Sequence, residues 1–287
     1  MIAADVFAKI NLGLRVGRLR QDGFHPVDGI FQSVDVVDHL TLHDAAEDTI
    51  VSAQGGPVAD DFDNLAFRAA AAVRRAAGES QPLAVTLDKA IPAAAGMGGG
   101  SADAAGGLVL AGRRFGVGVE TLAELAPQLG SDVPFCLTGG TARVSGRGEL
   151  VDTLLPLRGF ALAIVVPPIE ISTPAAFRRW DELGGPEGLR IPQDALPPSL
   201  REEGGLCNDL YPAAVSLVPA LDDWRSDLQT SWGRQVMLSG SGPSLFGFFV
   251  DIDEAEGAMS EVPSGARFAE AADLSTVGWL LTGDAEG

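Results

Sequence analysis

The chain has 287 residues, of which 46% are hydrophobic and 21% charged, and its formal net charge is −19. That composition excludes a wholly disordered chain and leaves room for one large domain or two modest ones with a cleft between them. The negative field excludes nucleic acid as a partner, since basic residues cluster no further than Arg74-Arg75, Arg113-Arg114 and Arg178-Arg179; an anionic ligand needs a locally positive pocket.

In chain order, Val6 to Val16 reads as a strand, and the alternation of Val34, Val36, Leu40 and Leu42 predicts a half-buried strand over 34–42. Asp63 to Ala77 reads as a helix with Asp63 or Asn64 as cap and Gly78 as stop. Leu83, Val85 and Leu87 alternate as a strand, and a helix over Ala102 to Phe115 follows the glycine-rich stretch. Glu120 to Leu129 is a further helix, interrupted by Pro127 and closed by Gly130. A seam falls near 150–160, giving an N-terminal domain over 1–155 and a C-terminal one over 156–287. Beyond it, Phe160 to Val166 is a buried strand, and Ser172-Thr173-Pro174 opens a helix over Ala175 to Leu183. Gly184 to Gly205 is rich in glycine and proline and reads as a loop. Asn208 to Trp232 is largely helical. Gln235 to Leu238 and Leu245 to Val250 are strands flanking Ser239-Gly240-Ser241-Gly242-Pro243. Asp253 to Val262 is a helix and Val277 to Leu281 a last strand. Helices and strands mix in both halves, with neighbouring strands that must pair antiparallel, so the class is α+β.

Two cysteines, Cys136 and Cys207, show no metal or redox spacing and read as free thiols. No basic leader precedes an apolar run, and the longest apolar stretch, Phe160 to Val166, is far too short to span a bilayer. A cytoplasmic location with no membrane partner is expected; nothing in the sequence fixes an oligomeric state. Lysine is nearly absent: Lys9 and Lys89 are the two in the chain, which marks both for attention.

Pro92-Ala93-Ala94-Ala95-Gly96-Met97-Gly98-Gly99-Gly100-Ser101-Ala102-Asp103 lies between a predicted strand and a predicted helix. Glycine lets the backbone approach a ligand and adopt positive φ, and loop N–H groups joined to the free N–H groups of a helix start make an anion site. Ser101 is placed to cap that helix or to offer a hydroxyl to a phosphate or its magnesium. The P-loop pattern is absent because no lysine follows the glycines, and GMGGGS does not match the dinucleotide fingerprint. A phosphate-type anion cradle fits the segment best.

At these residues the chain resembles a known superfamily, the galactokinase, homoserine kinase, mevalonate kinase and phosphomevalonate kinase (GHMP) group. Pro92 to Ala105 is similar to its second signature. Ala8-Lys9-Ile10-Asn11-Leu12, Asp22-Gly23-Phe24-His25, Phe31-Gln32, Gly130-Ser131-Asp132-Val133-Pro134-Phe135 and Ser239-Gly240-Ser241-Gly242-Pro243-Ser244 narrow the resemblance to the 4-diphosphocytidyl-2-C-methyl-D-erythritol kinase family. The matches run in family order from residue 8 to about 244. The resemblance implies a two-domain GHMP-kinase-like fold with the active site in the interdomain cleft. It implies transfer of the ATP γ-phosphoryl group, with Mg²⁺, to the 2-hydroxyl of a small molecule carrying a cytidine diphosphate, in the non-mevalonate isoprenoid precursor pathway. Lys9 and Asp132 match the catalytic pair, and Pro92 to Ala102 the ATP loop. Asn11, Phe24, His25, Thr173, Phe177, Ser239, Gly240 and Ser241 are the implied substrate residues, with Phe177 opposing the Phe24-His25 pair around the cytosine. No protein metal ligand set is implied.

On their own, Asp132 before Val133-Pro134 has a second reading as a helix cap, and Lys9 reads as a solvated strand residue. Four positions depart from the family pattern: Ala94 where glycine is frequent, Ala102 for serine, Phe24 for tyrosine and Pro26 for an acidic residue. A homoserine- or mevalonate-type kinase needs no base-stacking slot, so Gly23-Phe24-His25 separates it from the first reading. A non-catalytic nucleotide-binding regulator would lack Lys9 or Asp132.

Overall fold

The computed structural model describes residues 1–52, 63–203 and 206–284. Two sheets organise it. The first holds nine strands among the described residues. Its spine is the long antiparallel pair β1 (Ile2–Val16) and β2 (Val27–Asp44). β3 (Thr49–Ser52) and β4 (Leu83–Asp88) extend the β2 side, and β5 (Thr141–Gly146) and β6 (Leu150–Thr153) form a hairpin on the first half of β2. The second sheet is antiparallel and built around β7 (Ala161–Val166). Two short strands of the second half, β8 (Leu189–Arg190) and β9 (Cys207–Asn208), then return to the first sheet beside β1. β10 (Val236–Leu238), β11 (Leu245–Phe249) and β12 (Phe268–Ala272) complete the second sheet, while β13 (Trp279–Asp284) pairs with the start of β1.

Helix α1 (Leu65–Ala76) is capped by Asn64, whose side chain accepts from the Ala66 N–H at 2.9 Å. It buries Ala66, Phe67, Ala69, Ala70 and Val73, a helical stripe, against α2 (Gly99–Phe115). α3 (Val119–Leu129) and the short α4 (Val133–Thr138) follow. In the second half come α5 (Thr173–Glu182), α6 (Tyr211–Leu217), α7 (Ala220–Trp232) and α8 (Ile252–Ala258). Among the described residues no helix is long and apolar enough to cross a membrane.

Strand periodicity explains how the two cores share one wall. Successive side chains of a strand point to opposite faces. In β7, Leu162, Ile164 and Val166 enter the first core, whereas Ala161, Ala163 and Val165 enter the second. In β1, Ala8 and Ile10 pack into the first core, which leaves Lys9 and Asn11 on the other face.

Several predicted elements shift. β1 and β2 begin earlier than the apolar alternation suggests, because a long antiparallel partner carries residues that the pattern alone does not commit. The helix predicted from Ala102 begins at Gly99, with Gly98 at its N-cap position, so Ser101 lies inside its first turn and does not cap it. Ser172 holds the N-cap position of α5 but makes no side-chain capping bond. The predicted 208–232 helix is two helices broken at Val218-Pro219, as a proline that clashes with the preceding turn requires. The 184–205 loop contains β8 and two 3₁₀ turns, Gln193–Ala195 and Pro198–Glu203; Gly204 and Gly205 lie outside the described residues.

Candidate active site

A cavity of about 940 Å³ opens between the glycine-rich segment, β1, the start of α4 and the first turns of α5. Its floor is Lys9. The side chain is buried, and its Nζ donates to Asn11 Oδ1 at 2.5 Å and to the Gly96 carbonyl at 3.1 Å. The same Nζ lies 3.2 Å from Asp132 Oδ2 and 5.2 Å from the centre of the Phe31 ring. Lys9 is thus not a solvated strand residue. Asp132 does stand at the N-cap position of α4, but its side chain makes no capping hydrogen bond. Its carboxylate is 32% exposed while the lysine is 5% exposed, so the pair presents its acidic member to the cavity.

The glycine-rich segment forms one wall. Its shape is enforced by close packing. Gly98 has φ 71°, and a Cβ there would fall 2.8 Å from Lys9 Cγ; Gly96 has φ 83°, and a Cβ would fall 2.7 Å from the Ser239 carbonyl oxygen. No other residue fits either position without displacing the catalytic candidate or the neighbouring loop. Lys9 N–H donates to the Met97 carbonyl at 2.9 Å, and the Ser244 N–H and hydroxyl donate to the Ala95 carbonyl at 3.0 and 2.6 Å. The Gly98 cap leaves the first N–H groups of α2 free beside Gly99, Gly100 and Ser101, all of which line the cavity. Ala94 has φ 52°, so the left-handed conformation that glycine would adopt is kept here with a Cβ, at a cost of about 1–2 kcal/mol.

Of the residues expected on that loop, Pro92, Ala93, Ala94, Ala95, Gly96, Gly98, Gly99, Gly100 and Ser101 face the cavity. Met97 and Ala102 do not: both side chains are fully buried in the first core, where they anchor the loop and α2. Ser239 is also fully buried. Its Oγ accepts from the Asn11 N–H at 3.1 Å and lies 3.1 Å from the Gly96 carbonyl, which makes it a strut between β1 and the glycine loop. Gly240 and Ser241 line the cavity, and Ser241 Oγ meets Thr173 Oγ1 at 2.7 Å.

The aromatic residues gather at the opposite end. His25 stacks on Phe177 with centroids 5.2 Å apart and meets Trp180 edge-on. Its Nδ1 donates to the Gly17 carbonyl at 3.0 Å, and its Nε2 is 3.2 Å from Asp181 Oδ2, so both ring nitrogens have protein partners. Phe24 is half exposed, and the Arg147 guanidinium sits over its ring at 5.0 Å. Phe24, His25 and Phe177 all line the cavity, each phenyl ring backed on one side by a neighbour.

Sequence reasoning missed a second charged cluster in the same cavity. Lys89 Nζ pairs with Asp103 Oδ2 at 2.6 Å and with Asp38 Oδ2. Asp38 Oδ1 accepts from the Ala90 and Ile91 N–H groups at 2.7 and 2.8 Å, fixing the approach to the glycine loop. Burial pushes the Asp103 carboxyl up to about 7, with Asp38 adding to and Lys89 opposing the rise. Burial works against the Lys89 ammonium, but Asp103 and Asp38 together hold its pKa above the ordinary lysine value. Asp103 Oδ1 is buried without a hydrogen-bond partner. The scarcity of lysine was the one signal in the sequence for this cluster. Both cysteines are free and buried, and burial pushes the Cys136 thiol far up and the Cys207 thiol to about 11, away from the reactive thiolate.

A cavity between two sheets, walled by a glycine loop that opens a helix and floored by a Lys–Asp pair, is the arrangement expected of a small-molecule kinase of the GHMP class. The profile of the GHMP kinases N terminal domain matches residues 64–140. A homoserine kinase from Cytophaga hutchinsonii shares the fold at TM-score 0.70 and 18% identity, over 98% of this chain and 97% of that one. A solved 4-(cytidine 5'-diphospho)-2C-methyl-D-erythritol kinase superimposes at TM-score 0.78 and 32% identity, over 94% of this chain and 98% of that one. The 4-diphosphocytidyl-2-C-methyl-D-erythritol kinase of Pelotomaculum thermopropionicum is 36% identical over 89% of this chain and 91% of its own length. That of Corynebacterium efficiens is 38% identical over 85% and 84%. The chain belongs to the 4-diphosphocytidyl-2-C-methyl-D-erythritol kinase family, whose members use ATP as phosphoryl donor.

Proposed function

We propose that this chain phosphorylates the 2-hydroxyl of 4-diphosphocytidyl-2-C-methyl-D-erythritol with ATP, giving the 2-phosphate and ADP. The observation that carries the chemistry is the Lys9–Asp132 pair, 3.2 Å apart, beside the glycine loop. Asp132 takes the proton of the acceptor hydroxyl as its oxygen bonds to the γ-phosphorus and the bond to the ADP oxygen breaks. Such a base is worth about 10²–10⁴-fold. Lys9 sets a positive charge beside the carboxylate and the transferring group. Asn11 orients Lys9 and offers its amide to the acceptor's hydroxyls.

The N–H groups of Gly98, Gly99 and Gly100 and the start of α2 hold the nucleotide's phosphates. Among the described residues no group of three or more His, Cys, Asp or Glu side chains fits a metal. A magnesium ion brought with the nucleotide would have the Ser101 hydroxyl beside it and would supply charge neutralisation on the phosphoryl oxygens. Phe24 and Phe177 offer faces to the cytosine, while Thr173, Gly240 and Ser241 line the path between base and acceptor hydroxyl.

A coupled assay for ADP tests the assignment. ADP should form with the cytidine-diphosphate acceptor and not with homoserine or mevalonate. Equal rates with all three would remove the specific assignment and leave only the GHMP class.

A further inference from the structure

The turn between β5 and β6 carries an arginine into the cavity, and its surroundings fit a role in binding. Gly146 and Gly148 flank Arg147 with φ 73° and 116°. A Cβ on Gly148 would fall 2.7 Å from the Ser131 carbonyl oxygen, so the turn is pressed against the residue that precedes Asp132. The Arg147 N–H donates to the Glu149 carboxylate, which fixes the turn from within. Its side chain lines the main cavity and also a small side pocket shared with Phe24, Gly130 and Ser131. Arg147 therefore spans the interval between the aromatic end and Asp132.

That interval has a chemical meaning if the base lies at Phe24 and the acceptor hydroxyl at Asp132, a reading on which this inference rests. In the acceptor the diphosphate lies between the cytidine and the methylerythritol. Two anionic phosphates must therefore sit in the stretch that Arg147 overlooks, in a chain whose net charge of −19 repels them at long range. The other nearby ammonium groups are engaged. Lys9 is held by Asn11, Gly96 and Asp132, and Lys89 by Asp38 and Asp103. The carboxylate nearest the Arg147 guanidinium, Glu149, is 3.7 Å away, beyond hydrogen-bond length. A guanidinium resting on an aromatic ring keeps its N–H groups in plane and free for a phosphate fork.

We propose that Arg147 binds the diphosphate of the acceptor and sets the preference for a nucleoside diphosphate handle over a bare nucleoside. Arg147 is exposed enough that its removal leaves the core intact. The test compares CDP with cytidine as inhibitors competing with the acceptor, in wild type, Arg147→Ala, Arg147→Lys and Arg178→Ala. Wild type should bind CDP more tightly than cytidine. In Arg147→Ala that preference should shrink by about 10- to 100-fold, the range of one or two hydrogen bonds to a charged group, while cytidine inhibition and KM for ATP hold. Arg147→Lys should be intermediate, and Arg178→Ala, which removes the cavity-lining arginine of α5, should keep the wild-type ratio. A ratio unchanged in Arg147→Ala, with both inhibitors weakened equally, would make the residue a mere brace for Phe24 and overturn the proposal. So would a collapse seen in Arg178→Ala instead. If neither compound inhibits wild type, the cytidine reading itself falls, and this inference with it.

Discussion

The two lysines of this chain stand in the same cavity and do different work. Lys9 shares one carboxylate, an amide oxygen and a carbonyl, and its partner Asp132 remains open to the cavity. Lys89 is clamped between Asp38 and Asp103, both almost wholly buried, and Asp38 spends its other oxygen on the backbone at Ala90 and Ile91. On the proposed reading, the same residue types in similar pairings give a reactive centre in one place and a strut in the other. What separates them is exposure: Asp132 is open to the cavity, whereas the Asp38 and Asp103 side chains are almost wholly buried against Lys89.

Substitutions sharpen that contrast. Lys89→Met leaves two buried carboxylates facing one another without a cation. It should lower folding stability by about 3–5 kcal/mol, read by urea unfolding; a loss confined to catalysis would make Lys89 a second reactive lysine. Lys9→Met should show the opposite pattern, with turnover down about 10²–10³-fold and a smaller change in unfolding.

A pH series separates the clusters further. The folded-state Asp103 carboxyl titrates near 7, above its ordinary value near 4. Between those values the folded chain binds more protons than the unfolded chain, so the stability this group contributes is present below about pH 4 and is lost as pH rises through 7. Thermal unfolding between pH 5 and 8 should therefore fall more steeply for wild type than for Asp103→Asn. Parallel curves would remove Asp103 from that role. The smallest effect expected is at Ala94, where Ala94→Gly relieves a left-handed alanine. A gain of up to about 1 kcal/mol in unfolding is predicted, since glycine's greater freedom in the unfolded chain offsets part of the relief.

The half of the cavity around Lys9 and the glycine loop was legible in the sequence because its residues sit in short contiguous motifs. The glycine segment, Ala8 to Leu12 and Gly130 to Phe135 each declare a loop or strand and its chemistry within a few positions. Asp38, Lys89 and Asp103 form no motif, and lysine scarcity alone marks one of them, because 51 and 14 residues separate the lysine from its two partners and only the packing of β2, β4 and α2 joins them. Arg147 was invisible for a similar reason: a lone arginine in a glycine turn gains meaning only when the β5–β6 hairpin swings it over Phe24. Met97, Ala102 and Ser239 mark the opposite error. A motif does not say which of its members face the ligand and which hold the motif in place, and burial assigns these three to the second group.

The most direct measurement sets turnover beside ATP affinity in Asp132→Asn. The substitution keeps the shape of the side chain and removes its capacity to take a proton. Turnover with the cytidine-diphosphate acceptor should fall by about 10²–10⁴-fold while the affinity for ATP stays near that of wild type. Turnover close to wild type would contradict the assignment of Asp132 as the base.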